Sequence, residues 1–201
     1  QLGNGNNTAS NSPVQVQGLT TGVTSVSAGD GFTCAAVRGA AKCWGKNTNG
    51  ELGNSSTTNS NIPVQPFMLS VAVRDVKVGS NSSCAIVDGG VQCWGLNANG
   101  QLGDNTTTQS TVPVQVLDLA GIGFLHGTIS IAVGTNYACA NTSGLLKCWG
   151  LNTNGQLGDG TVNESHVPVQ VLGMTAGVNA ITAGNYSTCA VQNGYTWCWG
   201  I

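Results

Sequence analysis

Residues 34–53 read CAAVRGAAKCWGKNTNGELG, and the rest of the chain repeats this stretch. Copies begin at Cys34, Cys84, Cys139 and Cys189. In each, a second cysteine follows nine residues later (Cys43, Cys93, Cys148, Cys198) and is itself followed by Trp-Gly. The first three copies continue as N-x-N-G-[QE]-L-G. Spacing this strict marks a repeat architecture, in which one supersecondary unit recurs and neighbouring units bury each other's apolar faces.

Midway between the cysteines of each pair sit Arg38-Gly39, Asp88-Gly89, Ser143-Gly144 and Asn193-Gly194. Asn-Gly and Asp-Gly are strong two-residue hairpin turns, because type I′ geometry needs positive φ at both central residues. Counting outward, Val37 opposes Ala40 in a hydrogen-bonded pair and Cys34 opposes Cys43 in a non-hydrogen-bonded pair. There the Cα atoms lie roughly 4.5 Å apart, within disulfide range. The same count joins Cys84 to Cys93, Cys139 to Cys148 and Cys189 to Cys198. Each bridge closes a short loop and contributes about 2–3 kcal/mol. A zinc site would draw ligands about two to four residues apart, which this spacing and the two histidines of the chain do not match. Disulfides require an oxidising compartment, so the expected location is extracellular or cell surface.

The chain has 201 residues, 40% hydrophobic, enough for one large all-β domain. Only 7% of residues are charged, against about 25% in an average soluble domain, so Asn, Ser, Thr and Gln carry the surface. With a net charge of −2 and six basic residues scattered singly, the basic footprint of nucleic-acid binding is missing. No apolar run approaches the roughly 20 residues of a spanning helix, so neither nucleic acid nor membrane insertion is expected.

Taken in order, each period offers a polar loop after L-G, then a short strand at Pro13–Val16, Pro63–Pro66, Pro113–Val116 or Pro168–Val171. Proline is tolerated at a strand's first residue. Next comes V-x-x-V-S-A-G at 23–29, matched by VRDVKVG, ISIAVG and VNAITAG, where alternation marks a half-buried strand. The cysteine hairpin adds two more. Four short strands per period of about 50 residues predict an all-β fold, a β-propeller-type array of four blades with periods near 1–50, 51–100, 101–155 and 156–201. The whole forms one repeat domain or part of a longer array.

The string W-G-x-N-x-x-G-Q-L-G, then P-V-x-V, then A-G-x-x-x-[ST]-C, resembles the repeat of the regulator-of-chromosome-condensation family. It is the cysteine-bearing form met in secreted bacterial proteins, and the resemblance covers the whole chain. It implies a β-propeller, usually of seven blades, acting as a protein-binding scaffold. The chain departs in having four periods, and in carrying Phe32, Ser82, Tyr137 and Ser187 where intracellular members often have His. The nucleotide-exchange and chromatin roles of those members are not carried over, given the charge and the cysteines.

Chemistry-bearing residues are sparse: eight carboxylates, two histidines and no G-x-S-x-G or H-E-x-x-H string. His126 and His166 fall in loop-like stretches, and no catalytic residue, cofactor or metal is expected. The Asn/Asp turns, such as Asn97–Gly100 with Asp104, lack the terminal Glu of a calcium loop and read as turn chemistry. Trp44, Trp94, Trp149 and Trp199 sit at identical places beside the hairpins and read as blade packing rather than a carbohydrate platform. The loops DGFT, SNSS, TNYA and NYST bring Phe32, Tyr137 and Tyr186, which either anchor a partner or pack over the disulfides. A five-residue insertion in the third period exposes Phe124, Leu125 and His126 between glycines, a candidate contact point. Among the N-x-[ST] sequons, Asn6, Asn54 and Asn105 in the polar loop after L-G are the candidate glycosylation sites.

Two function classes follow. One is a non-enzymatic extracellular scaffold for protein or glycan binding and adhesion. The other is a structural subunit of an extracellular fibre or sheath, built by head-to-tail strand pairing between copies. Gln1 falls at the position of Glu51, and Ile201 at that of Lys46, so the last hairpin stands at one end of the sequence and its P-V-Q-V segment at the other. An open strand edge needs a partner, and pairing between copies or continuation of the array is expected over self-closure.

Overall fold

The computed structural model describes residues 1–119 and 121–201. The chain is all β, in antiparallel sheets that stand side by side. The first contains β1 (Val23–Ala28), β2 (Phe32–Val37), β3 (Ala40–Gly45) and β4 (Ser60–Val64). The second contains β5 (Val73–Val78), β6 (Ser82–Val87), β7 (Gly90–Gly95) and β8 (Ser110–Gln115). The third contains β9 (Thr128–Val133), β10 (Tyr137–Thr142), β11 (Leu145–Gly150) and β12 (Ser165–Gln170). The fourth has three strands, β13 (Val178–Ala183), β14 (Ser187–Gln192) and β15 (Tyr195–Gly200). The first strand of each sheet touches the first strand of the next, and Ser27, Lys77, Ile131 and Thr182 from all four line one cavity. That arrangement is blades about an axis.

The turn count holds in every copy. Arg38 and Gly39 have φ of 51° and 78°, and the other three turn pairs are likewise positive at both residues. Val37 opposes Ala40 and Cys34 opposes Cys43 across β2 and β3. All four disulfides join the pairs expected, with Cα–Cα distances of 4.0–4.1 Å. The sulfurs lie in the cores between blades, except that the Cys189–Cys198 bridge is partly open.

Each Trp-Gly is stitched to the [QE]-L-G of the period before it. The indole N–H of Trp94 donates to the Glu51 carbonyl at 2.7 Å, that of Trp149 to Gln101 at 3.0 Å and that of Trp199 to Gln156 at 2.9 Å. Trp44 repeats the contact with Gln1 at 2.8 Å. The glycine of L-G lies against the ring. A Cβ on Gly103 would stand 2.8 Å from Trp149 Nε1, and φ there is +70°, so only glycine fits. The tryptophans are therefore packing residues: Trp94 and Trp149 are fully buried and Trp44 nearly so.

The first Asn of N-x-N-G closes the polar loop. Asn97 is fully buried; its amide donates to Asp104 Oδ1 at 3.2 Å and to the carbonyls of Thr106 and Thr108, both at 3.1 Å, while its oxygen accepts from Leu102 N–H. Asn47 and Asn152 repeat the pattern on their own loops. This is turn chemistry, with the side-chain amide in the centre of the loop.

Two expectations about the proline strands change. Pro63, Pro113 and Pro168 are the fourth residues of β4, β8 and β12, not the first. These are outer strands whose register slips beside the proline, so a missing N–H costs no ladder bond. Residues 13–16 form no strand. Their counterparts pair with the third strand of a blade, Cys43 opposite Val64 for example.

Gly103→Ala should lower unfolding free energy by about 3 kcal/mol, combining left-handed backbone strain with the indole clash. Gly18→Ala, with similar φ and open space around it, should lose only about 1 kcal/mol. Urea denaturation of both variants checks the difference. Asn97→Asp should cost about 2–4 kcal/mol near neutral pH, since it sets a carboxylate against Asp104 and two carbonyls. Recovery of much of that loss when the same melt is run at acid pH is the expected signature.

Candidate functional site

Antiparallel pairing divides the loops between two faces. On one lie the loops from first to second strand and the N-x-N-G loops, both polar. On the other lie the hairpin turns and the loops that lead from one blade into the next. Backbone bonds join this second set: Val73 N–H donates to the Gly39 carbonyl, Asp88 N–H to Ala72, Thr128 N–H to Gly89 and Val178 N–H to Gly144. Turn and loop thus alternate from blade to blade as one continuous rim.

The rim is apolar at its tips. In the loop after β4, Phe67, Met68 and Val71 are 52%, 79% and 70% exposed. The loop after β8 contributes Leu119, Ile122 and Phe124, and the loop after β12 contributes Leu172, all at least half exposed. Other residues of the same loops turn inward, Val116 and Val171 at the loop starts among them. Leu69, Leu125 and Met174 plug the three cores between blades, and the Leu69 and Met174 carbonyls accept from Ala41 and Leu146 N–H. Committing these residues to the cores turns their neighbours to solvent. The exposed charges here, Arg38, Arg74 and Asp88, are few and of both signs.

The insertion is ordered by its own bonds. Leu117 and Phe124 form an antiparallel bridge, Asp118 N–H donates to the Gly123 carbonyl, and Ile122 N–H donates to Asp118 Oδ1. Phe124 and His126 face solvent as expected, whereas Leu125 is buried between the second and third blades. Ile122, 89% exposed, is the tip that the sequence reading passed over.

Phe32 and Tyr137 are not exposed anchors either. Each opens a second strand and points at the next blade, so Phe32 lies in the first inter-blade core and Tyr137 in the third. The Tyr137 hydroxyl donates to the Ser187 carbonyl at 2.6 Å and accepts from Thr188 at 3.1 Å. Burial pushes its pKa above the usual tyrosine value, against the pull of the Thr188 bond. Tyr186 is 43% exposed on the polar face. His166 lies within β12, not a loop, beside Glu164 at 3.2 Å. Hydrogen bonds from Asn99 and His166 lower the Glu164 carboxyl below its ordinary range.

The three candidate glycosylation residues differ in setting. Asn6 and Asn105 are exposed on polar-face loops. Asn54 is half-buried and accepts from Asn47 at 3.3 Å, occupying the place that Asp104 and Asp159 hold in the later loops.

A family model described as the regulator of chromosome condensation (RCC1) repeat matches residues 1–36, 40–86, 88–140 and 143–191. A second model with the same description matches 73–101. Comparison with curated proteins gives no match. Among solved structures, human WBSCR16 superposes with a TM-score of 0.74 at 23% identity, covering 89% of this chain and 47% of that one. Saccharomyces cerevisiae Prp20p, in a study of its binding to Gsp1p and histones, gives 0.74 at 22% identity, covering 89% and 45%. Yeast RCC1 (Prp20) bound by Kap60 gives 0.72 at 22% identity, covering 89% and 43%. The likeness is one of fold, the β-propeller, and the chain spans a little under half the length of these proteins.

Replacing Ile122 and Phe124 by Ser should leave thermal stability unchanged and reduce the fluorescence of a bound apolar dye. Both side chains are surface tips whose removal opens no cavity. A melting curve and a dye titration on the same sample check it.

Proposed function

The chain belongs to the regulator of chromosome condensation (RCC1) repeat family, and on that premise we propose that it is a non-enzymatic extracellular scaffold that binds a protein ligand through its apolar rim. One observation carries the reading: large apolar side chains from three successive inter-blade loops stand exposed on the same face. Exposed apolar side chains gathered on one face mark interaction sites, and aromatic and long aliphatic tips suit insertion into a partner's pockets. The rigid blades hold those tips in fixed relation, which lowers the ordering cost of binding.

Protein is favoured over glycan as the ligand, because the four repeat tryptophans, Trp44, Trp94, Trp149 and Trp199, are held in blade packing, while Trp197 on β15 stands half exposed away from the rim. Partners named for Prp20, namely Kap60, Gsp1p and histones, are proteins too. The four disulfides fit an oxidising compartment, which supports a secreted or cell-surface location and an adhesive role. Glycans on Asn6 or Asn105 would sit on the polar face and leave the rim clear.

The test is chemical cross-linking of the chain to its native surroundings, followed by identification of the captured proteins. A Phe67→Ser, Ile122→Ser, Phe124→Ser variant should capture at least about tenfold less of any specific partner. Val162→Ser with Tyr186→Ser, on the opposite face, should capture as the parent does. Equal losses for both, or none for the rim variant, would remove the reading.

A further inference from the structure

The loop after β4 is built differently from its counterparts. Leu69 N–H donates to the Pro66 carbonyl at 3.3 Å, closing a turn whose third residue, Met68, is left-handed with φ of 57°. The same bond runs from Leu19 to Val16 and from Met174 to Val171, and there the third residue is Gly18 or Gly173, each with φ of 74°. Positive φ at that place favours glycine, because a Cβ would crowd the following carbonyl. At the far end of the loop Ala72 repeats the exception, with φ of 62° where Gly22, Gly127 and Gly177 stand in the other loops.

Met68 buries little of itself in return. It is 79% exposed, and a Cβ added at Gly18 or Gly173 meets nothing within 4 Å. Its neighbours hold it outward on both sides. Phe67 N–H donates to the Gly53 carbonyl at 2.8 Å, while Leu69 fills the first inter-blade core and its carbonyl accepts from Ala41 N–H at 2.9 Å. A strained residue with an unburied side chain, locked in place by its surroundings, points to a role for that side chain outside the fold.

The sulfur of Met68 is also set apart from the rest of the chain's sulfur. All eight cysteines are joined in disulfides. Met174, the other methionine, fills the third inter-blade core and is 5% exposed. Of the two thioethers, Met68 alone is offered to solvent. It stands among the exposed tips of the rim, between Phe67 and Val71 in its own loop.

We propose that Met68 is an oxidation site through which hydroperoxides, hydrogen peroxide among them, switch the rim off. A sulfur lone pair attacks one peroxide oxygen, so that an S–O bond forms as the O–O bond breaks. Sulfur gives up two electrons, and the departing hydroxide takes the proton from the new oxygen and leaves as water. The thioether has become a sulfoxide, polar where the side chain was apolar, and methionine sulfoxide reductases reverse the change. In the middle of an apolar contact the sulfoxide oxygen is a strong acceptor that a partner can cover only by stripping it of water. The switch rests on the reading of the rim as a binding surface, whereas the selective oxidation of Met68 does not.

The test material is the whole chain with its disulfides intact, treated with hydrogen peroxide at neutral pH. Peptide mapping should find oxygen added at Met68 at least about tenfold faster than at Met174, and the difference should vanish in urea. The oxidised chain should keep the parent's melting temperature and bind 8-anilinonaphthalene-1-sulfonate, a probe of exposed apolar surface, at least about twofold more weakly. Met68→Gln, with a polar side chain at the same tip, should match the oxidised chain without peroxide. Met68→Leu should bind the dye like the parent and be indifferent to peroxide, and Met68→Gly should melt no lower than the parent. Equal oxidation of the two methionines overturns the inference. So does a Met68 sulfoxide that binds the dye as the parent does, or a Met68→Leu variant that still loses dye binding in peroxide. The Phe67→Ser, Ile122→Ser, Phe124→Ser variant judges the rim separately: if it loses dye and captured partner while oxidation of Met68 changes neither, the rim stands and the switch falls.

Discussion

The bond from each tryptophan indole to a carbonyl one period earlier is what turns four hairpins into a propeller. A cysteine hairpin by itself is a two-stranded ribbon with little stability in water, disulfide or not. The indole bond fixes where the next ribbon stands, because the donor sits on one blade and the acceptor on the turn that left the blade before. Glycine after that acceptor lets the ring approach to van der Waals contact, and the leucine between them fills the core beneath, as Leu52, Leu102 and Leu157 show. W-G and Q-L-G recur together because each is half of the same joint.

Around that joint the chain has little use for charge. The buried amides of Asn47, Asn97 and Asn152 satisfy several loop carbonyls each, so neutral side chains hold the polar loops. Glu51 is the one fully buried carboxylate among the described residues; it accepts from Asn49 and lies 3.6 Å from Lys46. Gln101 and Gln156 take its place in the later blades with the same bond to the turn. A neutral amide suits a desolvated site better than a carboxylate with a half-exposed partner.

Fixed joints also explain why the two faces differ. The polar face consists of loops whose side chains are occupied in holding the backbone. The rim consists of loops that give one or two residues each to a core and leave the rest of their apolar side chains outside. Their remaining apolar side chains stay exposed, whereas the four repeat tryptophans are drawn into the joints between blades.

Much of this was legible in the residues. Alternation, the two-residue turns and the cysteine count fix the hairpins and the disulfides, since register across a hairpin follows from the turn alone. The repeat spacing fixes the number of units, and the sparse acids and bases leave a scaffold as the natural reading. Which side of a strand is inside was not legible, because it depends on how one sheet lies against the next. Phe32, Tyr137 and Leu125 look like exposed loop residues until a neighbouring blade covers them. Ile122 and Met68 look unremarkable until their neighbours are drawn into a core. Residues 13–16 have the pattern of a strand, yet a strand needs an edge to pair with and pattern alone does not supply it. Local geometry is set within a few residues of chain, whereas burial is set by contacts about fifty residues apart, and those exist only once the blades have stacked.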